Sequence, residues 1–116
     1  MARLNFDDDV LSETTQLVVV SGELDLSNVS DLRRHVDGAL LSGHTRVVID
    51  LDEVTHMDSS GLAELITCHQ LAEELGGGMA LVVTSQSIRR TLEIRGVRQL
   101  FRVTCSRDEA VEALGA

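Results

Sequence analysis

Asp58-Ser59-Ser60-Gly61 puts a carboxylate, two hydroxyls and a residue without a side chain between Met57 and Leu62. An apolar run, Val47-Val48-Ile49, precedes this stretch and is closed by Asp50-Leu51-Asp52. A helical pattern of Leu62, Leu65, Ile66, Ala72 and Leu75 follows it. The hexapeptide therefore lies where a buried strand hands over to a helix. Ser59 falls at or near the N-cap, where its hydroxyl satisfies a backbone N–H left without a helical partner. On that reading, losing the hydroxyl costs about 0.5–2 kcal/mol. Free N–H groups and the positive end of the helix dipole are features that hold a phosphate. Taken alone, such a stretch is more often a capped helix than a site.

Other chemistries find less support. A nucleophilic Ser59 needs an oriented base, commonly His with a carboxylate. His56 is close in sequence, but His35, His44 and His69 have no motif around them, and Gly-x-Ser-x-Gly is absent. An enzyme is therefore not expected. Asp50 or Asp52 could accept a phosphoryl group with Mg²⁺, as in receiver domains, but those place a Lys beside the phosphate. All ten basic residues here are Arg. A solvated strand exit is the preferred reading of these two acids. Asp7-Asp8-Asp9 reads as part of a solvated turn, because a calcium loop needs a longer ligand pattern with a distal Glu. Gly76-Gly77-Gly78 is a turn, since no Gly-Lys-Ser/Thr follows. No metal site and no cofactor are expected.

The chain has 116 residues, enough for one domain over 1–116. Hydrophobic residues make up 43% and charged residues 25%, as in a folded globular chain. The net charge of −9 repels nucleic acid and anionic membrane. Trp and Tyr are absent, which argues against stacking on bases. No apolar run reaches the length of about 20 residues that spans a bilayer. The first residues carry no apolar signal segment, so the expected location is the cytoplasm. Cys68 and Cys105 are far apart, with no CxxC, and read as small buried thiols rather than a disulfide.

The elements that must position the hexapeptide follow from periodicity. Leu4 and Phe6 suggest a short first strand, with a turn over Asp7 to Thr15. Leu17 to Val20 is a β-branched run ended by Ser21-Gly22-Glu23-Leu24-Asp25. Ser27 or Asn28 caps a helix whose stripe is Val29, Leu32, Val36, Ala39 and Leu40. Gly43 stops it. Arg46 to Leu51 is a short strand buried on both faces. A helix over 59–75 follows and ends at the glycines. Met79 to Val83 is the next strand. Ser85-Gln86-Ser87 opens a short helix with Ile88 and Leu92 inward. Gly96 ends it, and Val97, Leu100 and Phe101 pack back. Arg102 to Thr104 is a fifth strand, and Asp108 to Leu114 a last helix with Val111 and Leu114 inward. Strands alternating with helices imply an α/β fold: a mixed, mostly parallel sheet of four to five strands under about four helices.

Gly22-Glu23-Leu24-Asp25, Val48-Ile49-Asp50-Leu51, Met57-Asp58-Ser59-Ser60-Gly61-Leu62, Gly76-Gly77 and Ile88-Arg89-Arg90-Thr91-Leu92 together resemble the STAS-domain anti-sigma factor antagonists of bacteria. The resemblance covers nearly the whole chain in the same block order. It implies that Ser59 is phosphorylated by an anti-sigma factor that is itself a serine kinase. The unphosphorylated form would bind that kinase and free the sigma factor. The phosphorylated form would let go, and a phosphatase would reset it. Asp25 matches the acidic residue beside the site. The implied partner surface comprises Gly22, Glu23, Asp25, Met57, Asp58, Ser60, Gly61 and Leu62, with Leu71 as a further exposed candidate. Ser60 is expected to have its hydroxyl committed to local hydrogen bonds. His56 stands where a larger apolar residue is expected and leaves partner preference open. The alternative is a STAS module with another task, in a stress complex, nucleotide sensing or lipid transport.

Overall fold

A computed structural model describes residues 4–94 and 102–115. Its elements are β1 Leu4–Val10, β2 Thr15–Leu24, α1 Val29–Leu41, β3 Arg46–Met57, α2 Ser59–Glu74, β4 Gly78–Val82, α3 Gln86–Ile94, β5 Arg102–Thr104 and α4 Arg107–Ala113. The strands lie in sequence order in one sheet. Only β1 runs antiparallel to its neighbour; the other pairs are parallel. The mixed, mostly parallel α/β sheet is thus present, with a helix in every parallel connection.

Alternation along the strands divides the core. Val18, Val20, Val47, Ile49, Leu51, Met79 and Leu81 face the larger core, with Leu32, Val36, Leu65, Ile88 and Leu92 of α1, α2 and α3. Leu17, Val48, Ala80 and Val82 face the other side, against Ala110 of α4. Residues 47–51 are therefore buried on both faces, as the apolar run Val47-Val48-Ile49 implies, while Arg46 is half-buried.

Several boundaries differ from the periodicity. Asp7, Asp8 and Asp9 are strand, not turn, in register with Val19, Val18 and Leu17. The edge position explains this: Asp7 and Asp9 stay in water, while Asp8 turns over α1. There its carboxylate accepts from Gln16 Nε2 and His35 Nε2, and His35 stacks on Phe6 with centroids 4.3 Å apart. The reversal is made by residues 11–14, where Ser12 Oγ accepts from Thr14 N and Thr15 N. Strands β2 and β3 both outrun their apolar cores, because their extensions pair with each other through Gly22↔Val54 and Leu24↔Met57. Leu75 caps α2 instead of packing and is exposed. Leu71 is half-buried and packs on the larger core, so it offers little free surface. Cys68 is buried and Cys105 is exposed; both are free. Burial and the nearby Glu64 push the Cys68 thiol up to about 12, which leaves it inert. The expectations for Gly96, Val97, Leu100 and Phe101 lie outside the described residues.

Asp50 is not a solvated strand exit. It is 4% exposed, accepts from Asp52 N at 2.9 Å, and takes Arg107 Nε at 2.8 Å. That pair ties β3 to the first turn of α4. Exposed Asp52 accepts from both Thr84 N and Thr84 Oγ1. Both acids hold the fold together, and neither stands free to take a phosphoryl group.

Candidate functional site

The long β3 delivers Met57 beside Leu24, and the chain then turns into α2. The N-cap is Asp58, not Ser59. Asp58 is extended, with φ −99° and ψ −176°, and its Oδ1 accepts from Ser60 N at 2.9 Å and Gly61 N at 3.0 Å. Its backbone N–H donates to Leu24 O at 3.2 Å. A carboxylate in this place satisfies two helix N–H groups and also meets the helix dipole, which a serine hydroxyl does less well. Ser59 is consequently the first helical residue. It is exposed, and no hydrogen bond holds its hydroxyl among the described residues. Ser60 is half-buried, and its backbone N–H rather than its hydroxyl is engaged.

This geometry revises the expected phosphate cradle. The N–H groups of Ser60 and Gly61 are already taken by Asp58, and Leu62 N donates to Asp58 O at 3.2 Å. A phosphate on Ser59 would project into solvent beside a carboxylate. Asp58→Ala should lose about 0.5–2 kcal/mol of stability in urea unfolding. A variant as stable as the parent would show that the cap contributes nothing.

Gly61 sets how closely α2 approaches β2. A Cβ there would lie 2.8 Å from Leu24 Cγ, 2.9 Å from Leu24 O and 3.0 Å from Met57 Cγ. Met57, Gly61 and Leu62 are buried. They shape the corner and have no side chain to offer a partner. Of the remaining candidates, Glu23 is exposed, while Gly22 and Asp25 are half-buried.

Of the two expected caps, Ser27 or Asn28, it is Asn28 that occupies the N-cap position of α1, but its side chain makes no cap bond. Its Oδ1 accepts from Asp25 N at 3.0 Å and its Nδ2 donates to Glu23 O at 2.7 Å. Asp25 Oδ1 in turn accepts from Ser27 N and Ser27 Oγ. The turn between β2 and α1 is therefore locked by polar side chains, 5% exposed Asn28 at its centre. Leu26, carried on this turn, is 75% exposed. Periodicity could not flag it, because a single leucine in a turn belongs to no stripe. The Asp-x-Ser-Asn spacing was the available signal for the lock. Exposed His56 is in register with Glu23 on the same corner.

Three of the four histidines are engaged by other groups, and exposed His56 is the fourth. His35 is held by Asp8, His44 Nδ1 by Gln16 Oε1, and His69 by Met79 N and Glu73. Among the described residues no group of His, Cys, Asp and Glu could hold a metal ion. What remains is an accessible hydroxyl at a helix start, inside an acidic corner made by Glu23, Asp25 and Asp58.

The family model described as the STAS domain matches residues 8–110. The chain belongs to the STAS domain family. Within it, the chain is 31% identical over 99 residues to the anti-sigma F factor antagonist of Paenibacillus polymyxa, covering 84% of this chain and 82% of that protein. Its fold matches an anti-sigma factor antagonist from Mycobacterium paratuberculosis with a TM-score of 0.81 at 23% identity, over 98% and 96% of the two chains. It also matches the antagonist SpoIIAA in its unphosphorylated form, with TM-score 0.79, 21% identity and 96% of each chain covered. This STAS chain therefore sits among anti-sigma factor antagonists in sequence and in fold. The family match runs through both the Gly22–Asp25 turn and the Asp58–Leu62 corner.

Proposed function

We propose that this protein is an anti-sigma factor antagonist switched by phosphorylation of Ser59. Unphosphorylated, it binds an anti-sigma factor serine kinase and releases the sigma factor. Phosphorylated, it lets go, until a phosphatase restores it. The carrying observation is the exposed, uncommitted Ser59 hydroxyl at the start of α2, beside a cap carboxylate that has already taken the N–H groups of Ser60 and Gly61. The hydroxyl is free for transfer, and the resulting phosphate would find the nearby Ser60 and Gly61 N–H groups already bonded to Asp58.

The release follows from charge. Phosphate adds about −1.5 to −2 to the corner at pH 7. A kinase must bring nucleotide phosphates to Ser59 Oγ, so the product faces the remaining diphosphate across the contact. Glu23, Asp25 and Asp58 add to that repulsion, and burying the dianion costs further. No refolding of the domain is needed. The site of action is the cytoplasm, where sigma factors work; no described helix is long and apolar enough to cross a membrane.

The test is incubation with ATP and the candidate serine kinases of the same genome, followed by peptide mass spectrometry. Phosphate on Ser59 is the expected result. Phosphate mainly on Ser60, Thr55 or an Asp would sink the assignment, and no phosphate with any kinase would favour a STAS module with another task.

A further inference from the structure

Among the described residues, Leu26 is one of five large apolar side chains that are exposed. The others, Val10, Leu11, Leu41 and Leu75, lie at the end of β1, in the turn after it, and at the ends of α1 and α2. Those positions all belong to the pole where β2, β3 and β4 begin, away from Ser59. Leu26 alone, among the described residues, is at the Ser59 pole. A scattered exposed leucine is ordinary, so its surroundings must carry the argument.

Three features do. The turn is rigid: Asp25 O accepts from Asn28 N and Val29 N, both at 3.1 Å, in addition to the side-chain bonds of Asp25 and Asn28. A leucine presented on a pre-ordered turn loses little entropy when it is buried by a partner. The turn is also coupled to the Ser59 corner, because Leu24 O accepts from Asp58 N and Leu24 packs where Gly61 has no Cβ. Finally, the neighbours of Leu26 along its segment are polar or acidic, Glu23, Asp25 and Ser27, and that segment meets the corner where Glu23 is in register with His56 and Leu24 O accepts from Asp58 N. An apolar centre inside a polar rim is the anatomy of an interface hot spot.

We infer that Leu26 is the apolar anchor by which this protein docks on its kinase, entering an apolar pocket that basic side chains surround. The inference rests on the proposed function and deepens it. The acidic rim selects the chemistry of the occupant: Arg or Lys beside the pocket pairs with Glu23 and Asp25, whereas an acidic surface is repelled. Because Leu26 supports neither core, it is free to differ without cost to the fold. It therefore discriminates one kinase from another, where Ser59 and Asp58 serve any of them.

The experiment is calorimetric titration of the kinase with the full chain carrying Leu26→Ala, Leu26→Asp or Leu26→Met, with phosphorylation kinetics alongside. Leu26→Ala should weaken binding about 10- to 100-fold, and Leu26→Asp more. The loss should appear in KM, with kcat at saturation unchanged, because the acceptor hydroxyl is untouched. Leu26→Met should recover most of the affinity, and all three should melt with the parent. If the parent is bound and phosphorylated on Ser59 but Leu26→Ala binds as tightly, the anchor is wrong and the proposed function stands. If no kinase binds or phosphorylates the parent, the function reading fails and takes the anchor with it. If the free parent dimerises in sedimentation and Leu26→Asp makes it monomeric, a second copy occupies the leucine and the inference is overturned.

Discussion

Ser59→Asp should bind the cognate kinase at least about tenfold more weakly than the parent, the scale of one charge-repelled contact of about 1.4 kcal/mol. Ser59→Ala should bind like the parent and never be released. The fixed carboxylate stands beside Asp58, whose own charge is committed to Ser60 N and Gly61 N. Those two N–H groups are therefore not available to offset it when the contact loses water. Stability is not the confounder here. Ser59 is exposed and caps nothing, so the alanine variant should lose no more than about 0.5 kcal/mol. For the aspartate variant, attraction to the helix N-terminus is worth about 0.3–1 kcal/mol and is opposed by Asp58. Both should melt close to the parent. Calorimetric titration with paired melts checks this. An aspartate variant that binds as tightly as the parent would mean that phosphate acts through bulk or a conformational change.

The largest stability effect should come from Gly77→Ala, far from Ser59. An added Cβ would sit 1.9 Å from Thr45 O and 2.4 Å from Thr45 C. These are backbone atoms of the loop into β3, and Thr45 O already accepts from Gly78 N at 3.0 Å. No rotamer change relieves that overlap, so the loop between α2 and β4 must move away from β3. Overpacking typically costs about 1–3 kcal/mol; with backbone on both sides we expect at least the upper end. That is a large share of the 5–15 kcal/mol that holds a typical domain. Gly38→Ala is the control: nothing lies within 4 Å of its added Cβ, in the middle of α1. It should stabilise by about 0.5–1 kcal/mol. Urea unfolding of the pair is the measurement, and a Gly77→Ala loss under about 1 kcal/mol would mean that the loop yields freely.

Taken together, the two ends of the sheet do different work. At the Ser59 pole, Gly61 lets α2 start hard against Leu24, and Asp58 closes the helix while leaving Ser59 outside. At the other pole, Gly77 lets α2 return to the sheet. The hydroxyl is placed by the packing of one helix between two glycine contacts. Substitutions at the far pole should therefore lower the amount of folded protein without changing the affinity of what remains.

The order of elements, the sheet type and the strand-to-helix corner at residues 57–62 were determined by the sequence itself. The unbroken apolar run at Val47–Ile49 reads as a strand buried on both sides, Met79–Val83 as a further strand, and the Leu32, Val36, Leu40 stripe as a helix with one face inward. The Ser59 corner was legible because its residues are contiguous. Tertiary structure decided the rest. Residues 21–24 and 52–57 look like loop in isolation, yet they are strand because each completes the other's ladder. The cap passed from Ser59 to Asp58 because which side chain reaches the N–H groups depends on where β3 ends. Asp50 became buried because Arg107, 57 residues away, lies against it. The Asn28 side chain, at the N-cap of α1, turned back to Glu23 and Asp25 instead of bonding the first helical turn, and Leu26 was left out in water. Local pattern reports which face of an element is apolar, whereas partners brought from distant parts of the chain decide which polar group is satisfied by whom and which apolar group is left exposed.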